Sequence, residues 1–351
     1  LYGTVSLLRK EERERIKGLV VNKFRGDAAI LEPGIAMLEK LCGIPVAGVV
    51  PYMQVDIEEE DSLSSRLEGE GGTKPWTVDL AVIRFPRISN YTDLAALEAL
   101  DGVRVRYVSA PEKLGEPDLV LLPGTKNTIS DLLWMRSRGL EGKILKLAAR
   151  QVPIWGICGG YQMLGEELWD PEGVEGEPME RPVAGMGLLP LSTVFEKEKV
   201  LARVEGAFGE LDGCLEGLSG LSVSGYEIHM GRTIISGGRS PADTAKLVHY
   251  RLEPEICRPL AYLMETQSSS KRAGAQGWNR GNVYGCYVHG IFDGPGVAAR
   301  LAELLAEKKG AVLKPLKEDY EAYRQAQYDR LAEGLRKSLD LERIYAMMGL
   351  R

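Results

Sequence analysis

A short apolar run meets a helical pattern in the segment Pro153-Ile154-Trp155-Gly156-Ile157-Cys158-Gly159-Gly160-Tyr161-Gln162-Met163-Leu164. Residues 152–157 predict a buried strand, and apolar residues from Tyr161 to Leu168 recur at helical spacing. A cysteine between a strand and a helix, with glycines close on both sides, is the sequence form of a nucleophile elbow. Glycine is expected there because the tight turn needs backbone conformations that other residues adopt only with strain.

The same turn would make Cys158 reactive. A helix that begins directly after the cysteine points its free N–H groups at the sulfur, which favours the thiolate, the nucleophilic form. The alternative is a buried structural cysteine in a glycine-rich turn. We predict that Cys158 is a catalytic nucleophile.

The composition of the chain excludes several classes of protein. Of 351 residues, 44 are Lys or Arg and 50 are Asp or Glu, so the formal net charge is −6 and nucleic acid is not an expected partner. No apolar run approaches the roughly 20 residues that span a bilayer, so we expect no membrane contact. The five cysteines are scattered and never in Cys-x-x-Cys spacing, which predicts a cytoplasmic protein without disulfides or a metal site.

The order of the patterns predicts an α/β protein with two domains. Within residues 1–61, strand patterns at 18–24 and 44–51 enclose an amphipathic helix at 30–41, as in a parallel sheet. Acidic and Ser/Gly-rich composition then indicates a linker, which we place at residues 62–76.

The rest of the chain predicts a larger domain. Residues 77–310 alternate between strand and helix patterns, which predicts a doubly wound, mostly parallel sheet with an inserted β region. Residues 311–351 predict C-terminal helices. The chain begins at Leu1 rather than at a methionine, and we expect that it starts inside a longer protein.

Polar residues follow two other predicted strands. Asn22 and Lys23 lie at the end of a strand, where parallel sheets bind ligands such as nucleotides, although their spacing alone favours a solvated polar loop. The second set is Pro123-Gly124-Thr125-Lys126-Asn127-Thr128. Its backbone N–H groups can receive an oxyanion, and Thr128 is the predicted cap of the next helix.

Three histidines are available as the base for a cysteine nucleophile. His249 lies between Val248 and Tyr250 without polar neighbours, and we expect it to be structural. His229 shares one face of a predicted strand with Glu227. We favour His289 as the base because it ends a strand and precedes a glycine, and we expect His229 to contact substrate or pack nearby.

The motif from Cys158 to Gln162 is similar to the Cys-x-Gly-x-Gln nucleophile motif of class I, triad-type glutamine amidotransferases. A wider set of motifs resembles the cobyric acid synthase family of that class, with a likeness that covers nearly the whole chain and fades after about Ala311. These motifs occupy residues 22–27, 84–90, 123–128, 156–164, 225–231 and 287–293.

The resemblance implies roles for individual residues. Cys158 would form a glutamyl thioester with glutamine, and His289 would move the proton. Gln162 would hold the bound glutamine, and backbone N–H groups near Gly124 and Gly159 would form the oxyanion hole.

One position departs from the class. Many class I amidotransferases have glutamate two residues after the histidine, where this chain has Ile291. Candidates for the third member of the triad, or for a substrate contact, are Glu227, His229 and Asp293.

The resemblance also implies substrates and cofactors. The ammonia would amidate four carboxylates of adenosylcobyrinic acid a,c-diamide, a corrinoid acid, with ATP and Mg²⁺ as cofactors of the full-length enzyme and none bound to the glutaminase domain. Residues 1–61 would be the later part of a P-loop synthetase domain in which Asn22 reads adenine. No Gly-x-x-x-x-Gly-Lys-[Ser/Thr] motif occurs, so the phosphate-binding half would lie upstream. The sequence is compatible with an oligomer.

Three alternatives remain open. The first is a cobyrinic acid a,c-diamide synthase or a cell-wall amidotransferase with the same glutaminase domain, the second an inactive binding subunit of this fold. The third is a cysteine hydrolase of another amide or ester. The set Cys158, Gln162 and His289 speaks against an inactive subunit, and the motif at residues 22–27 favours the cobyric acid synthase family.

Overall fold

The computed structural model describes residues 1–55, 75–236, 257–266, 273–313 and 320–350. The chain divides into two compact units, one formed by Leu1–Ile57 together with Glu321–Arg351 and one by Glu58–Tyr320. The first unit thus combines both ends of the chain, which no local pattern in the sequence indicates. Most of the linker predicted at residues 62–76 lies outside the described residues.

The first unit is built on a pair of parallel strands, β1 (Leu19–Phe24) and β2 (Val46–Pro51). Its helices are α1 (Tyr2–Leu7), α2 (Lys10–Arg13), α3 (Ala28–Cys42), α9 (Tyr320–Ser338) and α10 (Leu341–Met347). Between α9 and α10, Leu339 pairs with Gly48, and the Asp340 N–H donates to the Ala47 carbonyl at 2.8 Å. These contacts attach the C-terminal helices to β2.

The second unit is organised around one mixed sheet. Its strands are β3 (Val78–Ile83), β4 (Val103–Val108), β5 (Leu119–Leu122), β6 (Ile154–Ile157), β7 (Glu167–Trp169), β8 (Val183–Ala184), β9 (Leu191–Phe208), β10 (Ser222–Ile235), β11 (Arg258–Glu265), β12 (Ala273–Arg280), β13 (Val283–Cys286) and β14 (Val288–His289). Their order is β14-β10-β9-β11-β12-β13-β6-β5-β3-β4, with β7 and β8 attached through β9.

Both parts of this sheet were expected. The neighbours from β4 to β13 pair in parallel, which confirms the predicted α/β class. From β13 to β14 the pairing is antiparallel, so the predicted β insertion extends the same sheet. His249, which we expected to be structural, lies outside the described residues.

Helices cover both faces of the parallel part. They are α4 (Ala95–Glu98), α5 (Thr128–Ser137), α6 (Leu140–Ala149), α7 (Gly159–Met163) and α8 (Val297–Lys308). Alternate residues of a strand face opposite sides, so Leu80 and Val82 join the hydrophobic core with α4 and α8, whereas Ala81 and Ile83 join the core with α5 and α6. The sheet is therefore doubly wound, as predicted.

The helix predicted to continue to Leu168 is much shorter. It ends at Met163, and Leu168 lies in β7 instead. Leu164 and Leu168 are both fully buried, although they lie beyond the end of the helix. Their helical spacing therefore reflected burial in the core and not a continuing helix face.

Candidate active site

The structure has a strand–turn–helix around Cys158, with the cysteine at the turn between β6 and α7. Its backbone has φ 53° and ψ −111°, a conformation that is strained for a residue other than glycine. A Cβ atom on Gly160 would lie 1.9 Å from the Leu122 carbonyl oxygen, so only glycine lets the chain pass so close to β5. This close passage places the half-buried Cys158 on the wall of a cleft of about 410 Å³.

His289 lies on the same cleft and contacts Cys158. It ends β14, which pairs with β10, and its side chain is 1% exposed. Cys158 lies near enough to the imidazole to help raise the pKa of His289, so the cysteine and the histidine favoured as its base are brought together. The thiol itself donates to the Ile228 carbonyl at 3.6 Å. The Tyr226 ring stacks on the imidazole, with centroids 5.2 Å apart.

Asp93 holds the other side of the imidazole. His289 Nδ1 lies 2.7 Å from Asp93 Oδ2, and because a carboxylate only accepts, Nδ1 carries the hydrogen. Asp93 Oδ1 accepts the Gly290 N–H at 2.9 Å, so the carboxylate fixes both the ring and the following backbone. Cys158, His289 and Asp93 thus form a chain of three functional groups.

Asp93 is not among the site residues predicted from the sequence. The structure places it in a 3₁₀ turn, Tyr91–Leu94, that follows β3. The sequence offered Glu227, His229 and Asp293 as candidates for the position that Asp93 occupies. Residues 93 and 289 are 196 positions apart, and only the tertiary fold brings the turn after β3 and the end of β14 together.

The carboxylate sets the charge of the histidine. Burial lowers the pKa of His289, but the charge and hydrogen bond of Asp93, together with the contact with Cys158, outweigh burial and raise the pKa from 6.5 to about 10. His289 is therefore protonated at neutral pH and can supply a proton to a departing group.

The two predicted oxyanion glycines border this pair. A Cβ on Gly124 would lie 3.3 Å from His289 Cε1, and a Cβ on Gly159 would lie 3.2 Å from the Thr125 nitrogen. The Gly124 carbonyl accepts the Ser89 N–H at 2.9 Å, so the loop after β3 holds the loop after β5. The loop after β5 therefore lies against both the turn of Cys158 and His289, and the oxyanion role of Gly124 and Gly159 stays a prediction.

Gln162 is buried and fixed by three hydrogen bonds. Its Oε1 accepts from the Thr128 hydroxyl at 2.9 Å, and its Nε2 donates to the Met230 carbonyl at 3.1 Å and to the Tyr287 hydroxyl at 3.2 Å. Thr128 is thus not the predicted helix cap, because Asn127 accepts the Ser130 N–H instead. Gln162 lines the cleft, and its role in holding glutamine stays a prediction.

The hydrogen-bond partner of His289 Nδ1 is Asp93 rather than any of the three candidates from the sequence. His229 lines the cleft, stacks on Tyr287 with ring centroids 3.6 Å apart, and has its pKa lowered by burial to about 4, so it is neutral. Glu227 is buried on β10. Asp293 closes the turn after His289 by donating its N–H to the Gly290 carbonyl at 2.9 Å.

The nucleotide-binding candidate lies in the first unit. Asn22 is exposed on β1, and its Oδ1 accepts the N–H of Lys23 at 2.9 Å. Its assignment to adenine stays a prediction. Across the described ranges, we find no helix with the length and apolar character that a membrane span requires.

Comparison with a family model and with known proteins indicates the same family. Residues 79–297 match the model of the CobB/CobQ-like glutamine amidotransferase domain. The cobyric acid synthase of Ruminiclostridium cellulolyticum is 47% identical over 99% of this chain and 63% of that protein. The cobyric acid synthase of Lachnoclostridium phytofermentans is 46% identical over 99% of this chain and 65% of that protein.

The chain spans 63% to 65% of the length of these two relatives. A solved structure described as a glutamine amidotransferase aligns with 65% of this chain and 98% of its own, at 17% identity and a TM-score of 0.41. The family model, in contrast, matches more than half of the chain and confirms the resemblance in its motifs. The chain belongs to the family of CobB/CobQ-like glutamine amidotransferases.

Proposed function

We propose that this chain hydrolyses the side-chain amide of glutamine with Cys158, His289 and Asp93. The observation that carries the proposal is the position of His289, which contacts the strained cysteine on one side and a buried carboxylate on the other. A nucleophile, a proton carrier and an orienting group in contact are what amide cleavage by covalent catalysis requires.

The proposed reaction has two halves. Cys158 attacks the carboxamide carbon as the thiolate, with its proton on His289, and N–H groups near Gly124 and Gly159 stabilise the oxyanion. Each such donor is typically worth on the order of 10²-fold in rate. His289 then protonates the amide nitrogen, the C–N bond breaks and ammonia departs. The glutamyl group remains bound to Cys158 as a thioester. Water gives a proton to His289 and attacks the thioester, which releases glutamate and restores the cysteine.

We further propose that the ammonia amidates carboxylates of a corrinoid acid in cobalamin biosynthesis. This is supported by the motif set and by the matched relatives, which are cobyric acid synthases. Adenosylcobyrinic acid a,c-diamide is the acceptor that the resemblance implies, with ATP and Mg²⁺ as cofactors. This chain lacks a Gly-x-x-x-x-Gly-Lys-[Ser/Thr] loop, so its residues do not fit the phosphates of ATP and we assign it no ATP-dependent step.

Glutamate release without ATP tests the glutaminase. We expect activity from the wild-type chain and none above background from Cys158→Ala or His289→Ala. Cys42→Ala, in the first unit, is the matched control and should retain wild-type activity.

Labelling tests the nucleophile independently of turnover. A glutamine analogue with an electrophile in place of the carboxamide should modify Cys158 and none of the other four cysteines. Hydrolysis by Cys158→Ala, or labelling of another cysteine instead, would contradict the assignment. Glutamine binding without any hydrolysis or labelling would favour a binding subunit.

A further inference from the structure

The active-site cleft carries charges of both signs beyond its catalytic residues. The residues that line it include Glu175, Lys126 and Lys199. Hydrolysis of an amide uses none of these three charges. A free amino acid such as glutamine, however, brings an ammonium group and a carboxylate with its side chain.

Glu175 is held rigidly in the cleft wall. Its Oε1 accepts the Thr128 N–H at 2.8 Å, and its Oε2 accepts the Ile129 N–H at 2.9 Å. Behind it, the Asp170 carboxylate accepts the N–H groups of Val174 and Glu175, each at 2.8 Å. The loop thus presents this carboxylate in one orientation.

Thr128 connects Glu175 to the nucleophile. The backbone N–H of Thr128 donates to Glu175, and its hydroxyl donates to Gln162, which lies on α7 one turn after Cys158. Glu175 therefore lies beside the residues that line the cleft next to the thiol, where the rest of a bound glutamine must extend.

Helix capping does not fully account for this glutamate. Asn127 already caps α5 by accepting the Ser130 N–H at 2.9 Å. Burial raises the pKa of Glu175, and the nearby Asp170 carboxylate raises it further, although the two backbone hydrogen bonds oppose them. A carboxylate oxygen that accepts one hydrogen bond keeps a second lone pair, so Glu175 can still accept from a cation, which would offset the burial.

We propose that Glu175 is a specificity-determining residue that receives the α-ammonium group of glutamine, while Lys126 and Lys199 supply the positive charge for its α-carboxylate. This inference rests on the proposed glutaminase function. It predicts that the site selects free glutamine over amides without an α-amino group.

Two substrates distinguish recognition of the ammonium group by Glu175 from structural support of the loop by the same residue. Glutaramate is glutamine without its amino group, so it tests the ammonium contact alone. We expect Glu175→Gln to lower kcat/KM for glutamine about 10- to 100-fold, mainly through KM, because a hydrogen bond to a charge is lost. Because the amide can accept only one of the two backbone N–H groups, the same variant should also lower kcat/KM for glutaramate, but by less than about threefold. Glu177→Gln, at an exposed position of the same loop, is the matched control and should change neither value.

Equal losses with both substrates would mean that Glu175 only supports the loop, and would overturn the inference. If the wild-type chain hydrolyses no glutamine, the proposed function fails instead. Calorimetry then decides the inference, with Cys158→Ala and the double variant Cys158→Ala/Glu175→Gln as samples. Tighter binding of glutamine than of glutaramate that disappears in the double variant supports the contact with Glu175, and equal binding of the two compounds overturns it.

Discussion

Two residues, one in each unit, have a positive φ close to the end of a strand. Cys158 has φ 53° and Lys23 has φ 54°. All four residues of β6 before Cys158 are buried, whereas Leu19 is the one buried residue of β1. Cys158 meets a histidine and a glycine-lined turn, while the N–H of Lys23 bonds to its neighbour Asn22.

The comparison shows when a strained backbone indicates function. Strain persists at a low cost to the fold only where dense packing fixes the conformation, and it serves chemistry only where partner groups meet the strained residue. Both conditions hold at Cys158. At Lys23 neither condition holds, because only one residue of the strand is buried and no reactive group in the described part of the chain contacts Lys23. We therefore assign no function to the strain at Lys23.

The largest expected effect comes from filling the turn beside Cys158. In Gly160→Ala the new methyl group would lie 1.9 Å from the Leu122 carbonyl oxygen, so β5 and α7 must separate. We expect a loss of more than about 4 kcal/mol in the free energy of unfolding, measured by denaturant titration.

Gly142→Ala is the matched control for this substitution. Gly142 lies inside α6, and a Cβ there would meet nothing within 4 Å. Alanine should stabilise that helix by about 0.5–1 kcal/mol. If Gly160→Ala is as stable as Gly142→Ala, packing does not enforce the conformation of Cys158.

The next effect concerns the carboxylate behind the histidine. Asp93→Asn keeps the size of the side chain but cannot stabilise a protonated His289, so we expect kcat for glutamine to fall by about 10²- to 10⁴-fold. Asp293→Asn, at the position that the sequence suggested, should have a smaller effect. Steady-state glutamate release decides between them, and the reverse order of effects would return the role to Asp293.

These residues show how far the sequence could lead. Cys158 and Gln162 are recognisable because five consecutive positions carry their motif, and His289 because it ends a strand and precedes a glycine. Asp93 and Glu175 reach the cleft from turns and loops whose positions the local sequence patterns do not predict. The alternation of strands and helices predicted the sheet, but not which polar residues the strand ends would bring into contact.

The next smaller effect is the change in the free energy of unfolding with pH, which should be smaller than the effect of Asp93→Asn on activity. Because the pKa of His289 is raised from 6.5 to about 10, the folded protein binds more protons than the unfolded chain between these values. The stabilisation is complete below about pH 6.5 and is lost as the pH rises through about 10. Titrating denaturant midpoints of wild type and Asp93→Asn across this range should show a difference that shrinks with rising pH. A constant difference would mean that Asp93 does not set the protonation of His289.

The smallest expected effect lies at Lys23. A residue with a Cβ loses roughly 1–2 kcal/mol in the left-handed conformation, which Lys23→Gly would recover. Glycine also gives the unfolded chain more freedom, which costs part of this gain, so we expect a net stabilisation of at most about 1 kcal/mol. Lys23→Ala is the control, since it removes the exposed side chain but keeps the strain. Stabilisation by glycine and not by alanine would identify Lys23 as a place where the fold tolerates strain without using it. The substitution Cys158→Gly would relieve backbone strain in the same way. It should nevertheless abolish glutamine hydrolysis, because Cys158 is the proposed nucleophile.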